Sequence, residues 1–457
     1  MIAIRMYRAN VTRNAGECFE AFTQSPPKGF RPILRPALRL QAESLGLGSA
    51  ALRSARGEET SPWTAAGPNT TQRAEVFTDG TSLCVMRLVR TPKVRRVTTA
   101  REGRPTTRVA SEPESVLYCH VISPRLDVAG FEGFRSAANA AFSVELEAFY
   151  FASRKLEELK SRPGARNAER ASPEELTAAK TLADKATRTL AIAIKSTGGL
   201  LVSDLAKQLP REEGDKAAEI RQALEAAKLI DTEVVVVCKK TQGQVARAPS
   251  EEALAEMAAR GLRCACGRDI LSERVERAIT ITTVGRELLD GSRWLSRLVV
   301  EELVSLGIPQ EAILLEQRIG GDEMDCFAAV SNELVFFELK DKEFSLGNAY
   351  SFAAKIPLTG AEYPVIVTTE CVGTDAKDHF EAAEAAARRS TLYDPDEGEA
   401  PTKVRYIEGV GSLRDGLRAI VSEIHTRIAV RILGDALPFA TLDGASLVER
   451  IGQRGET

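Results

Sequence analysis

The segment from 334 to 340 reads Leu-Val-Phe-Phe-Glu-Leu-Lys. It is too short for a buried helix, has no Gly or Pro, and is apolar on both alternating faces. A strand of this kind belongs inside a sheet that is covered on both sides. The requirement excludes an all-helical chain and points to an α/β fold. Side chains alternate along a strand, so Leu334, Phe336, Glu338 and Lys340 share one face. Glu338 and Lys340 therefore lie side by side at the end of an apolar strand. The flanking pattern agrees. A helix is predicted over 294–306, with Leu295, Leu298, Val299, Leu303 and Leu306 inward and Gly307 at its end. Strands follow over 312–317 and 325–330, then 334–340, a helix from about 348, and a strand over 364–368. The order is α-β-β-β-α-β.

Ser331-Asn332 separates two legs of equal length, 325–331 and 332–338. A hairpin there brings Asp325 to the Glu338–Lys340 end. Two converging carboxylates need a cation, or one must protonate. Mg²⁺ or Mn²⁺ meets that need with oxygen ligands. Such an ion activates water and neutralises charge on a phosphodiester. A lysine beside it can orient the attacking water and stabilise the developing negative charge. The constellation fits phosphodiester hydrolysis. The plain alternative is an ordinary Glu–Lys pair at an exposed strand end. A second Glu-x-Lys, at Glu158 and Lys160, falls on a predicted helix, where positions i and i+2 diverge, and is set aside.

With Asp325, Glu338-Leu339-Lys340 and this element order, the region from about 290 to 390 resembles the PD-(D/E)xK, or restriction-endonuclease-like, nuclease superfamily. The resemblance implies that Asp325 and Glu338 ligate the metal with help from the Leu339 carbonyl, and that Lys340 is the catalytic lysine. Met324 stands where the family name has proline. Many members carry a further glutamate on the first helix; the corresponding position here falls near Ser296, and Glu302 on the same helix is the candidate substitute. Asp322, after the Gly320-Gly321 pair, is a further acidic candidate. Arg318 to Glu323 also looks like the signature of diguanylate cyclases, but the other motifs of those domains are missing from 262–318.

Upstream, residues 143–197 read as a helical pair, through Leu146, Phe149, Tyr150, Leu156 and Leu159, a Pro-Gly break at 163–164 and a restart at Pro173. Residues 198–247 read as helix, turn, helix and strand, and resemble a winged helix-turn-helix, a fold that often sets its second helix in the DNA major groove. Lys216, Arg221 and Lys228 on that helix are the candidate nucleic-acid contacts, offset by Glu219 and Glu225. Over 238–277, Cys238, Cys264 and Cys266 resemble a zinc ribbon in which one ligand has become Thr241. A structural Zn²⁺ wants four ligands, leaving one position for Asp269, another residue or water. A degenerate ribbon that folds without metal is the competing reading.

The net charge of -3 conceals a gradient. Residues 1–110 carry 18 Lys and Arg against 8 Asp and Glu, so a basic N-terminal region faces an acidic remainder, a sign of a polyanion-binding segment. Residues 1–142 read as partly irregular, with 1–75 lacking periodicity. Apolar stretches around 75–77, 83–88 and 116–123, with an Asp79-Gly80 turn, suggest a small β unit. No run of about 18 apolar residues predicts a membrane span. The eight cysteines are too sparse for a disulfide scaffold, and the N-terminus lacks a secretory pattern, so a cytoplasmic protein is expected. Three histidines and no phosphate-binding loop disfavour His-based catalysis and ATP hydrolysis.

The expectation is a multidomain α/β protein: a basic β-containing region, a helical and winged-helix middle, and a nuclease-like core over 278–457 with a C-terminal helix. Its expected activity is metal-dependent cleavage of nucleic acid, DNA rather than RNA, with a homodimer favoured if both strands of a duplex are cut. The alternative is a DNA- or partner-binding winged-helix protein whose nuclease fold is inactive.

Overall fold

The computed structural model describes residues 2–11, 14–34, 36–37, 70–101, 104–124, 129–150, 153–163, 165–319, 321–391, 403–436 and 444–454. Among the described residues the architecture is mixed α/β with three sheets. The chain forms two units: residues 1–153 with 330–333 and 415–457, and residues 154–329 with 334–414.

The first unit is built on β1 (Ala3–Val11), β2 (Arg31–Pro32), β3 (Thr70–Thr78), β4 (Leu83–Arg101), β5 (Arg104–Ser123) and β6 (Glu147–Ala148). Their spatial order is β2-β3-β4-β5-β1-β6, and each pair is antiparallel. The helices Ala15–Gln24 and Ala129–Phe142 belong to this unit. Phe134 has ring neighbours in Phe22 and Phe77, each at 5.3 Å, inside one apolar cluster. The β3–β4 register ends at Thr70 opposite Arg90, and the β1–β5 register at Val11 opposite Ser115. The β4–β5 register continues alone to Arg101 opposite Arg104. Residues 91–101 and 104–114 therefore form a two-stranded ribbon beyond their sheet neighbours.

Two sequence expectations change here. The start of the chain is regular structure, not an irregular segment. β1 pairs with β5 and β6 along its edges and is buried at most of its positions on both faces, so its sequence does not alternate cleanly. Residues 38–69, the rest of the supposed irregular stretch, lie outside the described residues. Leu146, Phe149 and Tyr150 are not helical. Glu147 and Ala148 add a strand to β1, the Phe149 N–H donates to the Met6 carbonyl at 2.8 Å, and helix begins only at Arg154.

The second unit contains β7 (Arg166–Asn167), β8 (Leu200–Leu201), β9 (Ile230–Val237), β10 (Gln244–Ala248), β11 (Arg274–Ile281), β12 (Ile313–Ile319), β13 (Asp322–Val330), β14 (Glu333–Lys340), β15 (Tyr363–Thr368) and β16 (Arg405–Glu408). One sheet has the order β10-β9-β11-β8. Beside it in sequence are a 3₁₀ turn, Val202–Gln208, and the helix Ala217–Ala226, which buries Ala217, Ile220 and Leu224. The other sheet has the order β16-β15-β14-β13-β12-β7. β14, β15 and β16 run parallel, and the helix Leu346–Thr359 makes the crossover from β14 to β15. β12 and β13 pair antiparallel.

The helix Leu413–Ala436 buries its whole expected stripe, Leu413, Leu417, Ile420, Val421, Ile424, Ile428 and Ile432. From Asp415 onward it counts with the first unit. Ser422 Oγ accepts from the Ile2 N–H at 2.9 Å.

His120 and His425 are both buried in the first unit, and burial holds each imidazole down at about 4, with help from Arg87 and Arg5 respectively. Their unfolded value is 6.5, so between 6.5 and 4 the unfolded chain takes up more protons. Stability present above pH 6.5 is therefore lost as pH falls through that window, by roughly 3 kcal/mol for each histidine. Denaturant unfolding between pH 7.5 and 4.5 is expected to show this decline, and a His120→Met/His425→Leu variant a shallower one. A flat profile in the wild type would refute the assignment.

Candidate active site

β13 and β14 are neighbours joined through the Ser331-Asn332 turn, in which Ser331 takes a left-handed φ of 56°. Asp325, Glu338 and Lys340 come together as the equal hairpin legs require. Asp325 Oδ2 accepts the Leu339 N–H at 2.7 Å, which fixes the carboxylate beside the end of β14. Lys340 Nζ lies 2.8 Å from Glu338 Oε1. Glu338 is only 3% exposed, within a strand buried along nearly all its length. Burial, and next the nearby Glu338 charge, push the Asp325 carboxyl up to about 6. Burial alone would lower the Lys340 pKa, but Glu338, Asp325 and Glu323 outweigh it and hold the ammonium above its ordinary value.

A second lysine completes the site. Lys355 Nζ lies 3.0 and 3.2 Å from the two Glu338 oxygens and is itself buried. One buried carboxylate thus carries two ammonium partners. The buried face of the Leu346–Thr359 helix is Ala349, Phe352, Lys355 and Thr359. A lysine at helical spacing from Phe352, on the apolar face, is the signal that sequence reasoning passed over. Glu323 was also missed. It lies two residues before Asp325 and so shares its face of β13.

Next to Lys340, Asp341 anchors the strand end. Arg188 Nε lies 2.8 Å from its Oδ1, and the Trp294 indole N–H donates to Oδ2 at 3.1 Å. The Arg188 guanidinium stacks 4.9 Å from the Trp294 ring centre.

The other candidates lie elsewhere. Asp322 is exposed and, by alternation, on the face of β13 opposite Asp325. Gly320 lies outside the described residues. Glu302 pairs with Arg414 at 3.7 Å and accepts from the Ser305 hydroxyl. Arg221 pairs with Glu225 at 2.5 Å and Lys228 with Glu174 at 3.4 Å, while Lys216 is exposed. Two of the three proposed nucleic-acid contacts are thus engaged by carboxylates.

Cys238, Cys264 and Cys266 converge, and the fourth member of their cluster is Glu273. Their ligand atoms all lie within 4.8 Å of one another, so the group can hold a metal ion. Asp269, the earlier candidate for that place, instead accepts the Leu271 N–H at 2.8 Å. No helix among the described residues is long and apolar enough to cross a membrane.

No protein-family model matches the sequence, and a search of curated proteins returns no match. Among solved structures, that of protein VC1899 from Vibrio cholerae aligns at 14% identity over 60% of this chain and 62% of that one. The chain thus spans under two thirds of that protein, and the TM-score of 0.28 is too low to indicate a shared fold.

Proposed function

We propose that the protein is a metal-dependent nuclease of the PD-(D/E)xK type, with DNA as the favoured substrate. The observation that carries the reading is the meeting of Asp325, on β13, with Glu338 and Lys340 at the end of the neighbouring β14. The order of helix, three strands, helix and strand around them supports it.

The donor set fits a hard divalent cation. Two carboxylates lie together, and their mutual repulsion helps raise Asp325, a repulsion that a cation relieves. Asp325 and Glu338, with the Leu339 carbonyl, would hold Mg²⁺ or Mn²⁺. When bound, the ion lowers the pKa of a water and neutralises phosphate charge. Lys340 is the more exposed of the two lysines, with 28% of its side chain accessible. It is the group free to turn from Glu338 toward an attacking water or a phosphate oxygen. Lys355 stays with Glu338 and fixes its carboxylate.

The β4–β5 ribbon supplies a nucleic-acid contact that the net charge conceals. Between 91 and 114 the sequence has Lys93, Arg95, Arg96, Arg101, Arg104 and Arg108 against Glu102, Glu112 and Glu114. Two-stranded ribbons of this kind can enter a DNA groove.

The competing reading, a binding protein with a silent nuclease fold, draws on the double ion pairing of Glu338, which already compensates the carboxylates without a metal. A cleavage panel separates the two. Single-stranded, duplex and branched DNA and RNA would be incubated with Mg²⁺, Mn²⁺ or chelator. Cleavage restricted to the metal-containing reactions is expected. Binding of nucleic acid with no cleavage in any of them would favour the silent fold.

A further inference from the structure

We infer that Cys238, Cys264, Cys266 and Glu273 form a closed, structural Zn²⁺ site that clasps the end of β9 to the start of β11. The inference is independent of the nuclease reading, because it concerns different residues and a different ion.

Two preformed turns present the thiols. In the first, the Cys238 N–H donates to the Gly243 carbonyl at 2.9 Å and the Gln242 N–H to the Cys238 carbonyl at 2.8 Å. The Thr241 N–H points back at Cys238 Sγ, at 3.4 Å. An amide donor aimed at sulfur suits a thiolate. In the second turn, the Cys264 N–H donates to the Arg268 carbonyl at 3.0 Å and the Gly267 N–H to the Cys264 carbonyl at 2.8 Å. Gly267 has a φ of 90°, a conformation that favours glycine. The turn lets Cys264 and Cys266 contribute to one cluster.

Glu273 completes the set. It is 4% exposed, and its hydrogen-bond donors are a backbone N–H and a thiol, with the Arg268 charge nearby. Oε2 accepts the Lys239 N–H at 2.7 Å, and Oε1 receives the Cys266 thiol at 3.0 Å. The Lys239 ammonium turns away, to the Ser272 carbonyl at 2.6 Å. A buried carboxylate with no direct ion pair among the described residues can accommodate a metal cation beside the three thiols. Four side-chain ligands fill a tetrahedral shell and leave no position for substrate, as in structural zinc sites. The three soft sulfurs disfavour Mg²⁺ and Ca²⁺, and a full set of four cysteines for an iron–sulfur cluster is absent from the group.

The local packing explains the use of such a clasp. The excursion between β10 and β11 has the short helix Glu251–Ala259, and its apolar cluster consists of Val234, Val236, Ala246, Ala248, Leu254 and Ile270. Cys238 follows β9 directly and Glu273 precedes β11 directly. A metal held by both joins the two strand ends and fixes the loop between them.

The full-length protein, purified without chelator and supplied with zinc, is expected to hold one Zn²⁺ per chain at that cluster. Its three thiols would resist alkylation until the metal is removed, and Co²⁺ substitution would give the absorption of tetrahedral thiolate coordination. Glu273→Ala should weaken Zn²⁺ binding by at least the roughly 10–100-fold that even outer contacts contribute. Glu273→Cys should restore it and shift the Co²⁺ spectrum toward four thiolates, which a merely misfolded loop would not do. Free alkylation of Cys238, Cys264 and Cys266 in the zinc-supplied protein, mapped residue by residue apart from the exposed Cys371, or wild-type zinc affinity in Glu273→Ala, would overturn the assignment.

Discussion

Lys340→Ala is expected to slow phosphodiester cleavage by about 10²–10³, the cost of removing one transition-state stabiliser. Substrate binding should change little. The ammonium sits 2.8 Å from Glu338 and is held in its charged form by three nearby carboxylates. It is therefore a fixed positive charge at the strand end, and not a proton donor at neutral pH. Asp325→Ala should abolish cleavage while leaving nucleic-acid binding, since binding is assigned to basic surfaces elsewhere. Both variants would be compared with wild type in single-turnover cleavage and in binding by fluorescence anisotropy. Because the Asp325 carboxyl lies at about 6 and must be deprotonated to hold a cation, the metal requirement should steepen as pH falls below that value. Equal cleavage by Lys340→Ala and wild type would remove the nuclease reading, and loss of binding in Asp325→Ala would point to a structural role instead.

The sheet around this site was legible because its signal is local. The run from Leu334 to Phe337 can only be an interior strand, and the equal legs about Ser331-Asn332 place Asp325 without long-range information. The helix stripe from Leu413 to Ile432 was readable for the same reason, since seven apolar positions repeat at helical spacing. What failed depended on distant partners. Phe149 and Tyr150 have helix-compatible spacing, but pairing of Glu147 and Ala148 with β1 decides their conformation. Tyr150 then accepts the Ser331 N–H at 2.8 Å through its hydroxyl, a contact across 181 positions of sequence that no periodicity could indicate. Glu273 was hidden differently. It lies seven residues beyond Cys266, outside the usual spacing of a zinc knuckle, and reaches the sulfurs because the intervening 3₁₀ turn, Ile270–Ser272, shortens the path.

Lys355→Met is expected to destabilise the second unit by about 3–5 kcal/mol at neutral pH, as for other buried pairs that lose one partner. The methionine preserves most of the volume, so the loss would report charge and not a cavity. Glu338 would keep Lys340, but that partner is partly exposed and reaches only one of the two oxygens. The second oxygen would face an apolar helix. Replacing the carboxylate as well, in Lys355→Met/Glu338→Gln, should recover much of the loss, because the amide leaves no buried charge to compensate. Urea unfolding of the two single variants and the double variant gives the coupling directly. A Lys355→Met protein within about 1 kcal/mol of wild type would mean that water or Lys340 already satisfies Glu338. A double variant no more stable than Lys355→Met would likewise show that the pair is not what holds this helix to the strand. Stability and activity should then separate: Lys355→Met/Glu338→Gln should fold better than Lys355→Met, yet cleave no better than Asp325→Ala, because it lacks the carboxylate proposed to hold the metal.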